Sequence, residues 1–282
     1  MTKLPLGIGL SLAIVGSSFG ADLPSYKAPA PPPPLAFSWT GFYGGVNIGY
    51  GFGAGGAETG GLLDPFLVDP PSAAFWSFGQ NLSGVLGGGQ VGFNWQVSPW
   101  LVLGVEADMQ GADLHARRNV LVKGVFLGDL SSINSVNAVD WFGSVRGRVG
   151  LVLPSWPNAL VYGTGGFAYG GVTNAVSVAN SPPPPPGGVQ FGRSLFNEVR
   201  TGWTAGGGVE WSPLSFPSWS LKVEYFYTDL GSATQTFTSF TPSLDNTIFI
   251  ASHVSPVRWQ TVRAGVNWRF NPFSVGPVLA KY

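Results

Sequence analysis

Residues 261–270 alternate between apolar side chains and polar or small ones. Because successive side chains of an extended strand point to opposite sides, this stretch has one apolar and one polar face. The apolar face carries Val262, Ala264, Val266, Trp268 and Phe270, and the polar face carries Thr261, Arg263, Gly265, Asn267 and Arg269. Such a strand separates two different media, and a recurrence of the pattern along the chain favours a membrane barrel.

The same alternation recurs in seven earlier segments, so the sequence predicts eight strands. In the first segment Phe42, Val46 and Ile48 face one way, whereas Tyr43 and Asn47 face the other. The register of the fifth segment stays open, because Gly and other small residues occupy both of its faces. The predicted strands are 39–50, 85–96, 100–108, 139–153, 159–172, 200–211, 219–227 and 258–270.

The connections between these strands alternate in length. Long connections are predicted at 51–84, 109–138, 173–199 and 228–257, and short Pro-containing turns at 97–99, 154–158 and 212–218. Outer-membrane barrels have an even strand number, short periplasmic turns and long extracellular loops. The sequence therefore predicts an all-β fold: an eight-stranded antiparallel up-and-down transmembrane β-barrel. A soluble β-sandwich or lipocalin-like barrel is the alternative.

The N-terminal residues have the features of an export signal. Lys3 precedes an apolar run at 6–15, which is too short to span a bilayer, and Ser18 and Gly20 are small residues that suit cleavage before Ala21. The segments expected from this pattern are a cleaved signal peptide at 1–20, a proline-rich periplasmic linker at 21–37, an outer-membrane barrel at 38–270 and a C-terminal tail at 271–282.

Composition narrows the class of protein further. Only 10% of the residues are charged and the formal net charge is zero, which argues against nucleic acid as a partner. The chain has 42 Gly, a poor helix former, and no apolar run after the signal is long enough for a transmembrane helix. It has no Cys, so no disulfide framework is expected.

Ionisable residues recur on the inward faces of the predicted strands. An eight-stranded barrel has an interior just wide enough for side chains to fill it, and unpaired charges in so confined a space are costly. We therefore expect a cross-strand network that plugs the lumen, although a constriction that conducts small ions is the alternative. The predicted network comprises Glu106, Asp108, Arg146, Arg148, Glu210, Lys222, Glu224, Arg263 and Arg269.

The sequence offers little for catalysis or for a metal. Its two histidines, His115 and His253, fall in predicted loops rather than beside a Ser nucleophile with an orienting acid. We expect no enzyme activity, no catalytic residue, no metal and no cofactor, and we interpret both histidines as solvated. Haemin binding through these histidines, or another ligand bound by the loops, remains an alternative.

Four stretches resemble a known family: FSWTGFYGGVNIGYG at 37–51, LVYGTGGFAY at 160–169, GWTAGGGVE at 202–210 and LKVEY at 221–225. They are similar to the small outer-membrane β-barrel proteins of alphaproteobacteria. These are often called outer-membrane immunogenic or porin-family proteins and are related in fold to the OmpA transmembrane domain. The resemblance implies an outer-membrane location, surrounding outer-membrane lipids, a contribution to envelope integrity and exposure at the cell surface.

The resemblance also implies two partners. Arg263, Gly265, Trp268 and Phe270 match the signal that the barrel-assembly machinery recognises, although family barrels usually stop at the aromatic that corresponds to Phe270. In some similar proteins the mature N-terminus is linked to peptidoglycan, which implies wall attachment through Ala21 and Asp22.

Overall fold

The computed structural model describes residues 37–63, 73–123, 130–181, 190–241 and 247–270. The predicted signal peptide at 1–20, all but the last residue of the predicted linker and the predicted tail at 271–282 lie outside these residues. Within the described part of the chain, no helix is long and apolar enough to cross a membrane. Ten strands form one antiparallel sheet. They are β1 (Gly41–Gly53), β2 (Ala57–Leu63), β3 (Ala73–Gly79), β4 (Gly84–Ser98), β5 (Leu101–Lys123), β6 (Leu130–Leu153), β7 (Trp156–Ser181), β8 (Gln190–Trp211), β9 (Trp219–Thr241) and β10 (Thr247–Phe270).

Eight of these strands close a barrel. β1 pairs on one side with β4 and on the other with β10, in a register that runs from Phe42 opposite Phe270 to Gly53 opposite Trp259. The remaining strands follow in chain order, each antiparallel to the next. The predicted up-and-down barrel class is confirmed, and its eight closing strands correspond to the eight segments found in the sequence.

The hairpin formed by β2 and β3 was missed. It lies in the connection predicted at 51–84, where β2 pairs with β10 from Thr59 opposite Val254 to Leu63 opposite Ile250. β3 then pairs with β2 along its length. The hairpin escaped prediction because β2 is short and Gly-containing, and nothing in its composition resembles the apolar alternation of the other strands.

The three other long connections were predicted too long. β5 to β10 each contain 22 to 26 residues, whereas about 10 residues suffice for a strand to cross a bilayer. The predicted strand ends near 108, 139 and 258 lie close to β-bulges between Gly111 and Leu114, Val139 and Trp141, and Pro256 and Arg258. Beyond the bulges in β5 and β6 the outward side chains are largely polar, as at Arg117, Asn119 and Asn134, so the apolar alternation stops there although the ladders between strands continue.

The bulges divide the barrel into two halves. In what we call the turn half, β1 and β4 complete a closed ring of eight strands that ends at the short turns. In the hairpin half, β2 and β3 take the place of β1 and β4. The ladder between β8 and β9 stops at Trp203 opposite Asp229, and no ladder joins β3 to β5 in the described residues. The hairpin half therefore consists of two four-stranded sheets, β5–β8 and β9–β10–β2–β3.

The outer surface of the turn half is apolar. Side chains such as Val46, Ile48 and Val91 are exposed there, whereas their sequence neighbours Asn47 and Gln90 are buried in the lumen. The structure also fixes the register of β7: Leu160, Tyr162 and Ala168 face inward, and Val161 and Phe167 face outward. A soluble barrel would bury this apolar surface, so the observed polarity suits a lipid environment.

Candidate functional site

The register of the turn half brings acidic and basic residues together in the lumen. Glu106 lies directly opposite Arg146 on the β5–β6 ladder, and Arg263 lies opposite Glu224 on the β9–β10 ladder. All eight members are buried, and the ion pairs that they form define what we call the charged layer. Its members are Glu106, Asp108, Arg146, Arg148, Glu210, Lys222, Glu224 and Arg263.

Glu106 is the centre of the charged layer. One carboxylate oxygen, Oε1, accepts from Arg146 Nη2 at 2.5 Å and from Arg263 Nη2 at 3.3 Å. The other, Oε2, accepts from Lys222 Nζ at 2.9 Å and from the Tyr43 hydroxyl at 2.8 Å. A single carboxylate thus joins donors from β1, β6, β9 and β10 across the full width of the lumen.

Two further carboxylates hold the same cations. Asp108 Oδ2 accepts from Arg146 Nη2 at 2.6 Å and from Arg263 Nη1 at 3.0 Å. Glu224 Oε2 accepts from Arg263 Nε at 2.7 Å and lies 3.1 Å from Lys222 Nζ. Because Arg263 bonds to three carboxylates through three different nitrogens, its guanidinium is fixed in position as well as neutralised.

Lys222 shows that register alone does not set the pairing. It lies opposite Glu210 on the β8–β9 ladder, yet its ammonium group reaches across the lumen to Glu106. Glu210 instead bonds to Arg148 Nη2, and its other oxygen accepts from the Ser220 hydroxyl at 2.5 Å. The lumen is narrow enough for contacts across it to replace contacts along the ladder.

Aromatic rings pack against the guanidinium groups. Arg148 lies over the ring of Tyr162 at 3.6 Å, and Arg146 and Arg263 lie over the ring of Phe226 at 4.2 and 4.6 Å. Cation–π contacts of desolvated guanidinium groups are favourable. The rings fill most of the space between the ion pairs.

Amide side chains complete the layer where β1 and β4 carry no inward charge. Asn47 Nδ2 donates to Gln90 Oε1 at 2.5 Å, and Gln90 Nε2 donates to Asn267 Oδ1 at 2.8 Å. Asn267 Nδ2 then donates to Glu210 Oε1 at 3.1 Å. This chain of amides connects the charged layer to the two strands that close the barrel.

The structure corrects one assignment from the sequence: Arg269 does not belong to the charged layer. It lies at the end with the short turns, where it donates to the Ser212 hydroxyl at 2.9 Å and to the carbonyl oxygens of Ser38 and Pro217. Its guanidinium also packs 4.7 Å from the ring of Trp39. Arg269 is only two positions beyond Asn267 on the same face, but this places it below the level of the acids. Without it the layer contains four acids and four bases.

Apolar clusters seal the charged layer on both sides. Towards the short turns, Trp39, Val102 and Leu160 are among the residues of one buried cluster. Towards the hairpin half, Leu114, Phe142 and Trp259 belong to another. A cavity of about 10 Å³ remains beside Arg146, Phe226 and Arg263, which is room for about one water molecule.

A second polar cluster lies in the hairpin half, and its histidine corrects another expectation. His253 is a buried residue of β10 rather than a solvated loop residue. Its Nδ1 accepts from Trp76 Nε1 at 3.1 Å, and its Nε2 lies 3.2 Å from Glu58 Oε2. Glu58 Oε1 also accepts from the Ser255 hydroxyl at 2.8 Å and from Asn137. Ser255 therefore bonds to the acid and not to the imidazole, which is not the order in which a Ser–His–acid triad activates its nucleophile.

His115 lies on β5, exposed at the outer surface, with Nδ1 3.4 Å from Asp113. The expectation that it is solvated agrees with this exposure, although it is a strand residue. In the part of the chain that the structure describes, no group of three His, Cys, Asp or Glu residues could hold a metal ion.

Sequence reasoning missed the partners that complete these clusters. Tyr43, Asn47 and Gln90 were placed on inward faces, but nothing in their spacing identified the side chains to which they bond. Tyr162 was missed because the register of its strand was open. Glu58 and Trp76 belong to the hairpin, which was itself missed, so no local signal was available for their contact with His253.

The residues of the expected assembly signal are divided between the two faces of β10. Arg263 and Gly265 face the lumen, whereas Trp268 and Phe270 face outward with ring centroids 5.2 Å apart. Ala21 and Asp22, the expected wall attachment, lie outside the described residues.

Comparison with known proteins places this geometry in a family. The family model of the outer membrane protein beta-barrel domain matches residues 23–270. The chain belongs to this family. As an outer-membrane barrel it lies in the bacterial outer membrane, and the short turns correspond to the periplasmic end.

Two relatives agree with this assignment. The chain is 32% identical over 244 residues to the 31 kDa outer-membrane immunogenic protein of Brucella melitensis, covering 86% of this chain and 89% of that protein. It is 31% identical over 205 residues to the 22 kDa outer membrane protein of Rhizobium leguminosarum bv. viciae, covering 72% and 68%. The resemblance to alphaproteobacterial outer-membrane proteins is therefore confirmed.

Solved outer-membrane proteins are more distant. The attachment invasion locus protein Ail of Yersinia pestis is 12% identical with a TM-score of 0.30, covering 79% of this chain and 99% of Ail. The outer membrane protease OmpT of Escherichia coli is 11% identical with a TM-score of 0.37, covering 80% and 97%.

Proposed function

We propose that this outer-membrane barrel is a structural, non-conducting protein whose lumen is permanently plugged. The observation that carries the proposal is the stack of three side-chain layers in the turn half: the cluster around Trp39, the charged layer, and the cluster around Trp259. An ion could pass only along a continuous path of water. The cavity of about 10 Å³ beside Arg146 offers no such path.

The energetics of the charged layer favour a plug over a gate. Breaking a buried ion pair leaves an uncompensated charge and costs about 3–5 kcal/mol. Opening the lumen would separate several pairs at once, since Glu106 alone bonds to three cations from three strands. A layer of this kind stabilises one packed state rather than alternating between two.

Conductance of the purified, refolded protein in a planar bilayer tests the proposal. We expect no current steps from a preparation that shows the heat-modifiable electrophoretic mobility of a folded barrel. As a matched control, Trp39→Ala, Arg148→Ala and Trp259→Ala together remove one large side chain from each layer and should permit conduction. Steady steps from the unmodified protein that change with Glu106→Gln would contradict the plug and favour a narrow porin.

The proposal includes the partners that a structural barrel needs. Outer-membrane lipids would surround the apolar outer surface, and the barrel-assembly machinery would recognise β10 at Trp268 and Phe270. A contribution to envelope integrity would be strengthened by wall attachment through Ala21. Muramidase digestion of isolated cell walls should then release an Ala21 peptide that carries a muropeptide, whereas a free α-amino group on every recovered N-terminus would rule the attachment out.

A further inference from the structure

Three cavities follow one another on the outer surface of the barrel, along the paired strands β4 and β5. The first has a volume of about 500 Å³ and lies beside Gly89. The second, of about 380 Å³, lies beside Gly87 and Gly111, which are opposite each other on the ladder. The third, of about 540 Å³, lies beside Ser83 and His115, where a bridge makes the last contact of this pair of strands. Because successive outward positions line them, the three cavities form one groove, which we call the β4–β5 groove.

Outward-facing glycines make the lower part of this groove. A Cβ atom at Gly89 or Gly111 would meet no atom closer than 3.6 Å, so both positions are open toward the membrane. The exposed side chains of Val91, Met109 and Ile48 stand beside the glycines and form apolar walls. The lower part of the groove therefore suits an unbranched apolar chain.

The length of this apolar part matches one leaflet of the bilayer. It runs from Ala107 in the first cavity to Asp113 in the second, six positions along β5. At about 3.3 Å per residue and a strand tilt of about 40°, six positions cover about 15 Å along the membrane normal, which is half of the hydrocarbon core. Leu101, at the periplasmic end of β5, is also six positions from Ala107. The apolar part thus extends from the middle of the bilayer to its outer surface, which is the path of an acyl chain of the outer leaflet.

The third cavity continues the groove beyond the membrane and is basic. Arg117 lies on the same outward face of β5 as His115, is exposed, and has neither an ion pair nor a hydrogen bond among the described residues. Arg118 also borders the cavity, from the opposite face of the strand. The acid nearest to them along the strand, Asp113, lies 3.4 Å from His115 Nδ1. A free guanidinium group at the level of the lipid headgroups favours a phosphate as its partner.

Neutral hydrogen-bonding side chains accompany this arginine. Gln80, Asn81 and Ser83 line the same cavity. Both polar atoms of the Gln80 side-chain amide are buried and have no hydrogen-bond partner among the described residues. Amide and hydroxyl groups both donate and accept hydrogen bonds, as sugar hydroxyl groups do, whereas a phosphate only accepts from groups such as Arg117. The set of side chains therefore fits a headgroup that is a phosphorylated sugar.

We propose that the β4–β5 groove binds one phosphorylated glycolipid of the outer leaflet. An acyl chain lies over the glycines of the two lower cavities, and Arg117 binds the phosphate. The sugar hydroxyl groups bond to Gln80 and Ser83. The site is on the outer surface of the barrel, so it does not depend on whether the lumen conducts.

Native mass spectrometry of the refolded full-length protein in detergent tests the site with lipid A, an acylated and diphosphorylated disaccharide. We expect saturable retention of one lipid A, and Arg117→Gln should weaken it by about tenfold or more because a charge-assisted hydrogen bond is lost. Arg193→Gln, at an exposed arginine of β8, is the matched control and should leave the affinity unchanged. Absence of saturable binding, or an equal loss with the control variant, would overturn the proposal.

A second pair of variants tests the path of the acyl chain. Gly89→Leu combined with Gly111→Leu fills the lower groove from outside and should weaken binding by about threefold or more, because the chain loses its packing contacts. Gly147→Leu combined with Gly163→Leu is the matched control, since both glycines face outward on β6 and β7 and a Cβ atom there would meet no atom closer than 3.9 Å. All variants should keep the heat-modifiable mobility of a folded barrel. An equal effect of the two pairs would contradict an acyl chain in the β4–β5 groove.

Two other lipids test the headgroup. Phosphatidylglycerol has a phosphate and acyl chains but no sugar, so it should bind at least about tenfold more weakly than lipid A. Lipid A without its phosphates should bind equally to the unmodified protein and to Arg117→Gln. Equal binding of phosphatidylglycerol would overturn the assignment of a sugar headgroup, and an effect of Arg117→Gln on the dephosphorylated lipid would overturn the assignment of this arginine to phosphate.

Discussion

The two halves of this barrel differ in whether hydrogen-bonded ladders join their strands into a complete ring. In the turn half every strand has two ladder partners, and the lumen holds a charged layer of four acids and four bases. In the hairpin half the strands form two sheets that no continuous ladder joins among the described residues, and the space between them holds an apolar core and polar side chains that include the cluster around His253. The sheet surrounded by lipid must satisfy all of its own backbone groups, whereas the sheet exposed to water need not.

This difference explains where polar residues are placed. Lipid requires an apolar outer surface, so the turn half keeps its charges inside, where they can pair only with one another. In water the hairpin half can bury apolar side chains such as Ile133 and Val176 between its sheets, as a soluble sandwich does. The hairpin half therefore has no layer of buried ion pairs like that of the turn half, and mutations should affect the two halves differently.

The largest expected effect is at Glu106. Glu106→Gln removes the charge that neutralises Arg146, Lys222 and Arg263, and it should lower the free energy of unfolding by about 3–5 kcal/mol. Urea unfolding in lipid vesicles, followed by tryptophan fluorescence, measures the change. Combining it with Lys222→Gln should cost less than the sum of the two single changes, because the double variant keeps the layer neutral.

The surface pair between Arg200 and Glu198 is the control for this prediction. Their charged atoms are 2.5 Å apart, but the Glu198 side chain is 47% exposed, so Glu198→Gln should change the stability by about 1 kcal/mol or less. Equal losses from Glu106→Gln and Glu198→Gln would show that the charged layer does not hold the turn half together.

A smaller effect is expected at Gly92. This glycine lies opposite Glu106 on the β4–β5 ladder and leaves room for the Tyr43 ring. A Cβ atom at Gly92 would lie 2.4 Å from the Tyr43 hydroxyl oxygen and 2.7 Å from the Val105 carbonyl oxygen. Gly92→Ala should therefore displace the ring and destabilise the barrel by about 1–3 kcal/mol in the same urea measurement. Gly89→Ala, on the outer face of the same strand, meets no atom closer than 3.6 Å and should be nearly neutral.

The smallest effect should be confined to the hairpin half. Trp76→Phe keeps an aromatic ring but removes the N–H that His253 Nδ1 accepts, which should cost about 1 kcal/mol. We expect faster amide exchange in β2 and β3 and unchanged exchange in β1 and β4. Phe75→Leu changes the exposed residue next to Trp76 and should leave amide exchange unchanged in both pairs of strands. Faster exchange throughout the barrel would mean that the two halves unfold as one unit.

The strands of the turn half could be predicted because the bilayer imposes a strict alternation on them. Each outward position must be apolar, so period two is visible at Val46 and Ile48 in the first strand as clearly as at Val262 and Val266 in the last. The inward positions of Glu106, Arg146 and Lys222 followed from the same alternation. Beyond the bulges no such constraint acts, so the strand extensions and the hairpin were interpreted as loops.

The sequence by itself thus determined the barrel class, the eight closing strands and, in all of them but the fifth, the residues that face the lumen. Only the tertiary structure decided which acid meets which base, because contacts across a narrow lumen depend on side-chain length and not on register. That is why Lys222 pairs with Glu106 rather than with Glu210, and why Arg269, although on the inward face, bonds to carbonyl oxygens at the periplasmic end.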